Sequence, residues 1–189
     1  MKTIKNTLIL VAACLVIFSC GNSITNQEAT PEGFSTIEKE IKAQFGDQAY
    51  FTDLVIAYDK SAGNMVSTTV TKEPESLKMG EWTCIQGAWK QTSEVTLEIS
   101  EGNKAADFMF QLNDNINLSK LGELIVESKK RLTEEKDIEN PTLDMALVKY
   151  PDNGDISKAE YSVMLEPENG GTTFSFYYKI NGEFIRMHY

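Results

Sequence analysis

The chain has 189 residues, 28 of them Asp or Glu against 18 Lys or Arg, for a formal net charge of −10. That sign argues against a nucleic-acid partner and against docking on anionic lipid heads. One histidine and three cysteines leave little material for a nucleophilic triad, a His-based metal site or a disulfide framework.

The N-terminus opens with Lys2 and Lys5, continues with the apolar run "TLILVAACLVIF" and ends on Ser19 before Cys20. The run is too short for a comfortable membrane span and has the flanks of a targeting segment. Ile17-Phe18-Ser19-Cys20 resembles the lipobox of bacterial lipoproteins. The resemblance implies a signal peptide over 1–19, cleavage before Cys20, a diacylglycerol on its sulfur, and the membrane as a partner through that lipid. Each buried acyl CH₂ contributes about 0.8 kcal/mol, so two or three chains anchor a domain without a spanning helix. An ordinary secretory signal cut near Ser19 is the alternative. Gly21, where an aspartate would retain such a protein at the inner membrane, points to the outer membrane of the envelope.

Removing 1–19 leaves 170 residues with 16 basic and 28 acidic side chains, a net charge of −12 that suits a solvated domain held off the bilayer. It also removes Cys14, and with Cys20 acylated Cys84 has no partner in the chain. Within "WTCIQGAW" Cys84 reads as a buried strand thiol.

Residues 20–30 are small, polar and aperiodic, and are expected to form a flexible tether. The first αβ unit is expected over 31–101. Thr30 is a candidate N-cap with Pro31 at the first helical position, Phe34, Ile37, Ile41 and Phe45 recur at helical spacing, and Gly46 closes the helix. "YFTDLVIAYD" and "NMVSTTVT" read as strands joined by "KSAG", and "EWTCIQGAWKQ" with "SEVTLEIS" as a second hairpin. Residues 102–117 form a connector, with an extra strand expected at Phe108–Leu112.

The second unit, 118–189, repeats the plan. Leu118, Leu121, Leu124, Ile125 and Leu132 mark one face of a helix. Strands are expected in "TLDMALVKY", "SKAEYSVMLEP", "TTFSFYYKI" and "EFIRMHY", the last two joined by Asn181-Gly182 as a type I′ turn. At a constant offset of 91, Asp53 aligns with Asp144, Gly63 with Gly154, Phe34 with Ile125, Ile41 with Leu132, Ile85 with Phe176 and Trp89 with Ile180. The expected fold class is therefore α+β: two tandem repeats, each a helix plus four antiparallel strands, forming a sheet with both helices on one face.

Candidate chemistry is sparse. His188 is penultimate and reads as a strand residue. Glu38, Glu40, Glu134, Glu135 and Asp137 fit solvated helix surfaces, leaving Asp53 and Asp144 as the more interesting pair of carboxylates, with turn or cap roles as the plainer reading. Leu112-Asn113-Asp114-Asn115 and Asp152-Asn153-Gly154-Asp155 are oxygen-rich but lack calcium-loop spacing, so neither a metal nor a cofactor is expected. What remains is aromatic surface. Trp82, Trp89, Phe174, Phe176, Tyr177 and Tyr178 are the candidate binding residues, on the reasoning that one face of their strands looks away from the helices.

The helix-then-strands plan ending in "YYKINGEFIRM" loosely resembles the tandem repeats of PepSY-like periplasmic proteins and of β-lactamase-inhibitory-protein-like folds. That resemblance implies non-catalytic binding of an envelope protein or peptide through the open face of the sheet. A carboxylate-based hydrolase and a small-ligand carrier are the alternatives.

Overall fold

A computed structural model describes residues 24–189. The lipobox, the signal peptide and Gly21 lie outside the described residues. Two helices, α1 (Pro31–Phe45) and α2 (Leu118–Lys136), accompany eight strands: β1 (Tyr50–Asp59), β2 (Gly63–Thr71), β3 (Lys78–Ile85), β4 (Ala88–Thr96), β5 (Thr142–Lys149), β6 (Glu160–Glu166), β7 (Phe174–Lys179) and β8 (Phe184–His188). The strands form one antiparallel sheet in the order β4-β3-β2-β1-β5-β6-β7-β8, so β1 and β5 are central and β4 and β8 are its edges. The fold is α+β.

Both helices start where the sequence supplies an acceptor. Thr30 Oγ1 accepts from Gly33 N at 3.2 Å, and Asn117 Oδ1 accepts from Lys120 N at 2.8 Å. The buried stripe of α1 is Gly33, Phe34, Ile37, Ile41 and Phe45; that of α2 adds Gly122 and Ser128 to the five apolar positions read from its spacing. Gly122 is required by contact, because a Cβ there would stand 2.5 Å from the backbone oxygen of Thr30 at the head of α1.

Glu38 is not simply solvated. Its Oε2 accepts from Leu118 N at 2.7 Å and its Oε1 pairs with Lys42, so a carboxylate of α1 satisfies an orphan donor at the start of α2. Tyr161 on β6 adds a second clamp, accepting from Asn117 N and donating to Asn117 O. Burial pushes the Tyr161 phenol up to about 12.

The stripes pack with Leu54, Ile56, Val66, Val148, Val163, Leu165 and Phe176 in one apolar cluster, so both helices cover the same face of the sheet. Cys84 is fully buried there as a free thiol, its pKa pushed up to about 11 by burial.

Three local expectations change. The second hairpin turns earlier than expected, at Gln86-Gly87 inside "EWTCIQGAWKQ", where both residues take positive φ (50° and 76°). At Asn181-Gly182 only Gly182 is at positive φ (90°). Lys179 N donates to Glu183 O across a three-residue turn, so this is not a type I′ pair. Phe108–Leu112 contributes a single bridge, Phe51 with Phe110, rather than a strand.

The expected tether is docked over its described part. Ile24 is 2% exposed, Asn64 Nδ2 donates to Ile24 O and Gln27 O, and Asn64 N donates to Thr25 O. A polar composition suggested flexibility, but one buried asparagine in β2 collects three backbone carbonyl bonds from the segment. That is enough to seat it against the β1–β2 turn.

Candidate functional site

Alternation along the strands decides what each face presents. In β1, Leu54 and Ile56 point to the helices and Val55 and Ala57 away. In β5, Ala146 and Val148 point to the helices and Met145 and Leu147 away.

Cross-strand register assembles the outward residues into rows. One row reads Met65, Ala57, Met145, Met164, Ser175, His188 from β2 to β8. The next reads Lys90, Thr83, Ser67, Val55, Leu147, Ser162, Tyr177, Arg186 from β4 to β8. The third carries Glu81, Thr69, Asp53, Lys149, Glu160 and Lys179.

The first two rows put Met65, Ala57, Met145, Met164, Val55 and Leu147 side by side at the centre of the open face, each half-buried. None belongs to either apolar cluster formed by the described residues. The far corner of this face is closed: Met79 packs with Ala105 and Met109 of the connector, and Tyr50, Leu77, Val95, Leu97 and Ile99 lean on them.

The rim near β8 is polar and held. The Arg186 guanidinium lies 4.0 Å from the centre of the Tyr177 ring and bonds the Glu160 carboxylate at 3.2 Å, while His188 meets the edge of the same ring. The open face therefore has an apolar centre with three methionines and an Arg–Tyr rim.

Of the six aromatic candidates, only Tyr177 lies on this face. Phe174, Phe176 and Tyr178 are buried on the opposite side, beneath the helices. Tyr178 OH shares a 2.8 Å hydrogen bond with Ser128 of α2, and burial raises its pKa. Trp82 and Trp89 are half-buried against Phe45 of α1, with ring centroids 5.5 and 4.9 Å away. The larger rings fill the space under the helices, where burial returns most.

The residues that sequence reasoning missed had a signal. "LVIA" (54–57) and "MALV" (145–148) are continuous apolar runs, the pattern of strands apolar on both faces, whereas the outer strands alternate.

The carboxylate pair does not converge. Asp53 sits opposite Lys149 at one end of β5, and Asp144 is an extra residue in the ladder near the other end. Both oxygen-rich stretches spend their side chains on turns: Asn113 Oδ1 accepts from Asn115 N and Ile116 N, and Asp155 Oδ1 accepts from Ser157 N and its hydroxyl. Among the described residues, no three His, Cys, Asp or Glu side chains are grouped to hold a metal ion. No helix among them is long and apolar enough to cross a membrane. Comparison with protein-family models, curated proteins and solved structures found no significant match.

Proposed function

We propose that the protein is an envelope-anchored, non-catalytic lipoprotein that binds a protein or peptide through the open face of its sheet. The observation that carries the binding half is the apolar centre Val55, Ala57, Met65, Met145, Leu147 and Met164, presented by the two central strands and a neighbour on each side. A surface of this kind in an acidic, charged chain gains by being covered. Trp82, Trp89, Phe174, Phe176 and Tyr178 support the face from beneath; Tyr177 belongs to its rim.

The anchoring half rests on the lipobox resemblance, with the outer membrane as the expected location. It gains a geometric consequence from the docked segment. Only Gly21, Asn22 and Ser23 separate Cys20 from Ile24, a reach of roughly 14 Å when fully extended. Such an anchor holds the domain close to the bilayer, with the β1–β2 turn at the near end. Cys20→Ser is expected to release the protein from the membrane fraction; retention there would overturn the anchoring half alone.

The tandem reading belongs to the same proposal, with units over 31–101 and 118–189 about the connector. It is supported by the order helix-plus-four-strands taken twice and by shared irregularities. Thr52 in β1 and Asp144 in β5 each stand unpaired in their hairpin ladders, and burial runs in the same sequence from Tyr50 and from Thr142. Those landmarks are 92 residues apart, against 91 for Phe34 and Ile125 in the helices, so a single offset does not serve the whole chain. Ile85 points outward and is 49% exposed, whereas Phe176 is buried under the helices, so that pairing is withdrawn. Followed across the ladders from Leu54 and Ala146, which are 92 apart, Trp82, opposite Thr68, corresponds to Phe176, opposite Val163.

The test of binding is a double substitution, Met145→Thr with Leu147→Thr, in the anchored protein. Threonine is at home in a strand, so the fold is expected to hold while partner capture from the native envelope falls at least about tenfold. Undiminished capture would exclude the open face.

A further inference from the structure

One cavity lies away from the open face. It is a cleft of about 640 Å³ between the docked N-terminal segment, the β1–β2 turn, the start of β5 and the middle of α2. Its size is that of a small-molecule site.

Two cations line it, Lys60 and Lys129, against one acid, the exposed Glu28. On a chain with ten more acids than bases this is a locally positive spot. The two lysines differ. Lys60 Nζ is committed to the backbone oxygen of Glu168 at 2.8 Å. Lys129 is half-buried on α2 and, among the described residues, no carboxylate or carbonyl is within bonding distance of its ammonium.

A partly desolvated ammonium on the wall of a cleft is a group that a ligand oxygen can satisfy.

We propose that this cleft binds a small organic carboxylate, with Lys129 as its counter-ion. A carboxylate suits the site better than a phosphate, since the cleft offers one uncommitted ammonium and no arginine fork. Burial lowers the Lys129 pKa, and an anion beside it opposes that shift by favouring the charged ammonium. This assignment is independent of the open-face reading and of the anchor.

The experiment is a titration of the protein with sodium acetate, with acetamide as the neutral isostere and inorganic phosphate as the competing oxyanion, read by amide ¹H–¹⁵N spectra. Acetate is expected to move the amides of Thr25–Thr30, Lys129 and Thr142 together along one saturating curve, at about a tenfold lower concentration than acetamide or phosphate needs. Lys129→Gln is expected to abolish the curve and Lys129→Arg to retain it, both with an unchanged spectrum elsewhere. Equal responses to acetate and acetamide, or a curve that survives Lys129→Gln, would overturn the site. A tighter response to phosphate would overturn its assignment to carboxylates.

Discussion

The two faces of the sheet are built from the same strands and have opposite fates. On the covered face, Phe176 and Tyr178 are shut in by α2, and Phe45 of α1 meets the edges of Trp82 and Trp89. On the open face, β5 and β6 present Met145, Leu147 and Met164, which are half-buried. The covered face uses rigid rings whose hydroxyls find fixed partners, as Tyr178 does in Ser128 and Tyr161 in Asn117. The open face carries flexible, polarisable side chains, which under the proposed function adapt to a partner laid on them. The contrast separates residues that specify the fold from residues available for recognition.

Breaking the contrast from the covered side has the largest effect. Phe176→Ala leaves a cavity under α2 and is expected to cost about 3–5 kcal/mol in denaturant unfolding. Tyr161→Phe removes both bonds to Asn117 and exposes the start of α2 to loss of a clamp, with an expected cost of about 1–3 kcal/mol in the same measurement.

The Tyr161 hydroxyl also makes stability depend on alkaline pH. Its folded pKa, about 12, lies above the unfolded value near 10. The stability linked to the neutral phenol is therefore present below pH 10 and is lost as pH rises towards 12. Thermal melts between pH 9 and 12 are expected to fall less steeply for Tyr161→Phe than for the unsubstituted protein.

The smallest effect on stability is expected on the open face. Met145→Thr is expected to change unfolding by about 1 kcal/mol or less while weakening partner capture. A loss as large as that of Phe176→Ala would mean that the open face is core and would erase the distinction.

Much of this architecture can be read from residue spacing. The cap Thr30, the helical stripes and six of the eight strands follow from local pattern, because each depends on residues a few positions apart. The turn at Gln86-Gly87 is harder, since glutamine gives little sign of adopting positive φ and the strand-like residues around it read as continuous. The aromatic candidates fail for a different reason. Alternation shows that Phe174, Phe176 and Tyr178 share a face but not which face the helices choose; that choice depends on which residue set fills the larger volume, a tertiary property. The docking of residues 24–30 depends on Asn64, forty positions from Ile24, and no local composition reports it.

Site-specific photocrosslinking in the native envelope distinguishes recognition through the open face from recognition through the helices. A photoreactive phenylalanine analogue at Leu147 is compared with one at Val126, which is 48% exposed on α2. One discrete crosslinked species is expected from Leu147 and none from Val126. Crosslinking from Val126 with Leu147 silent would contradict recognition through the open face.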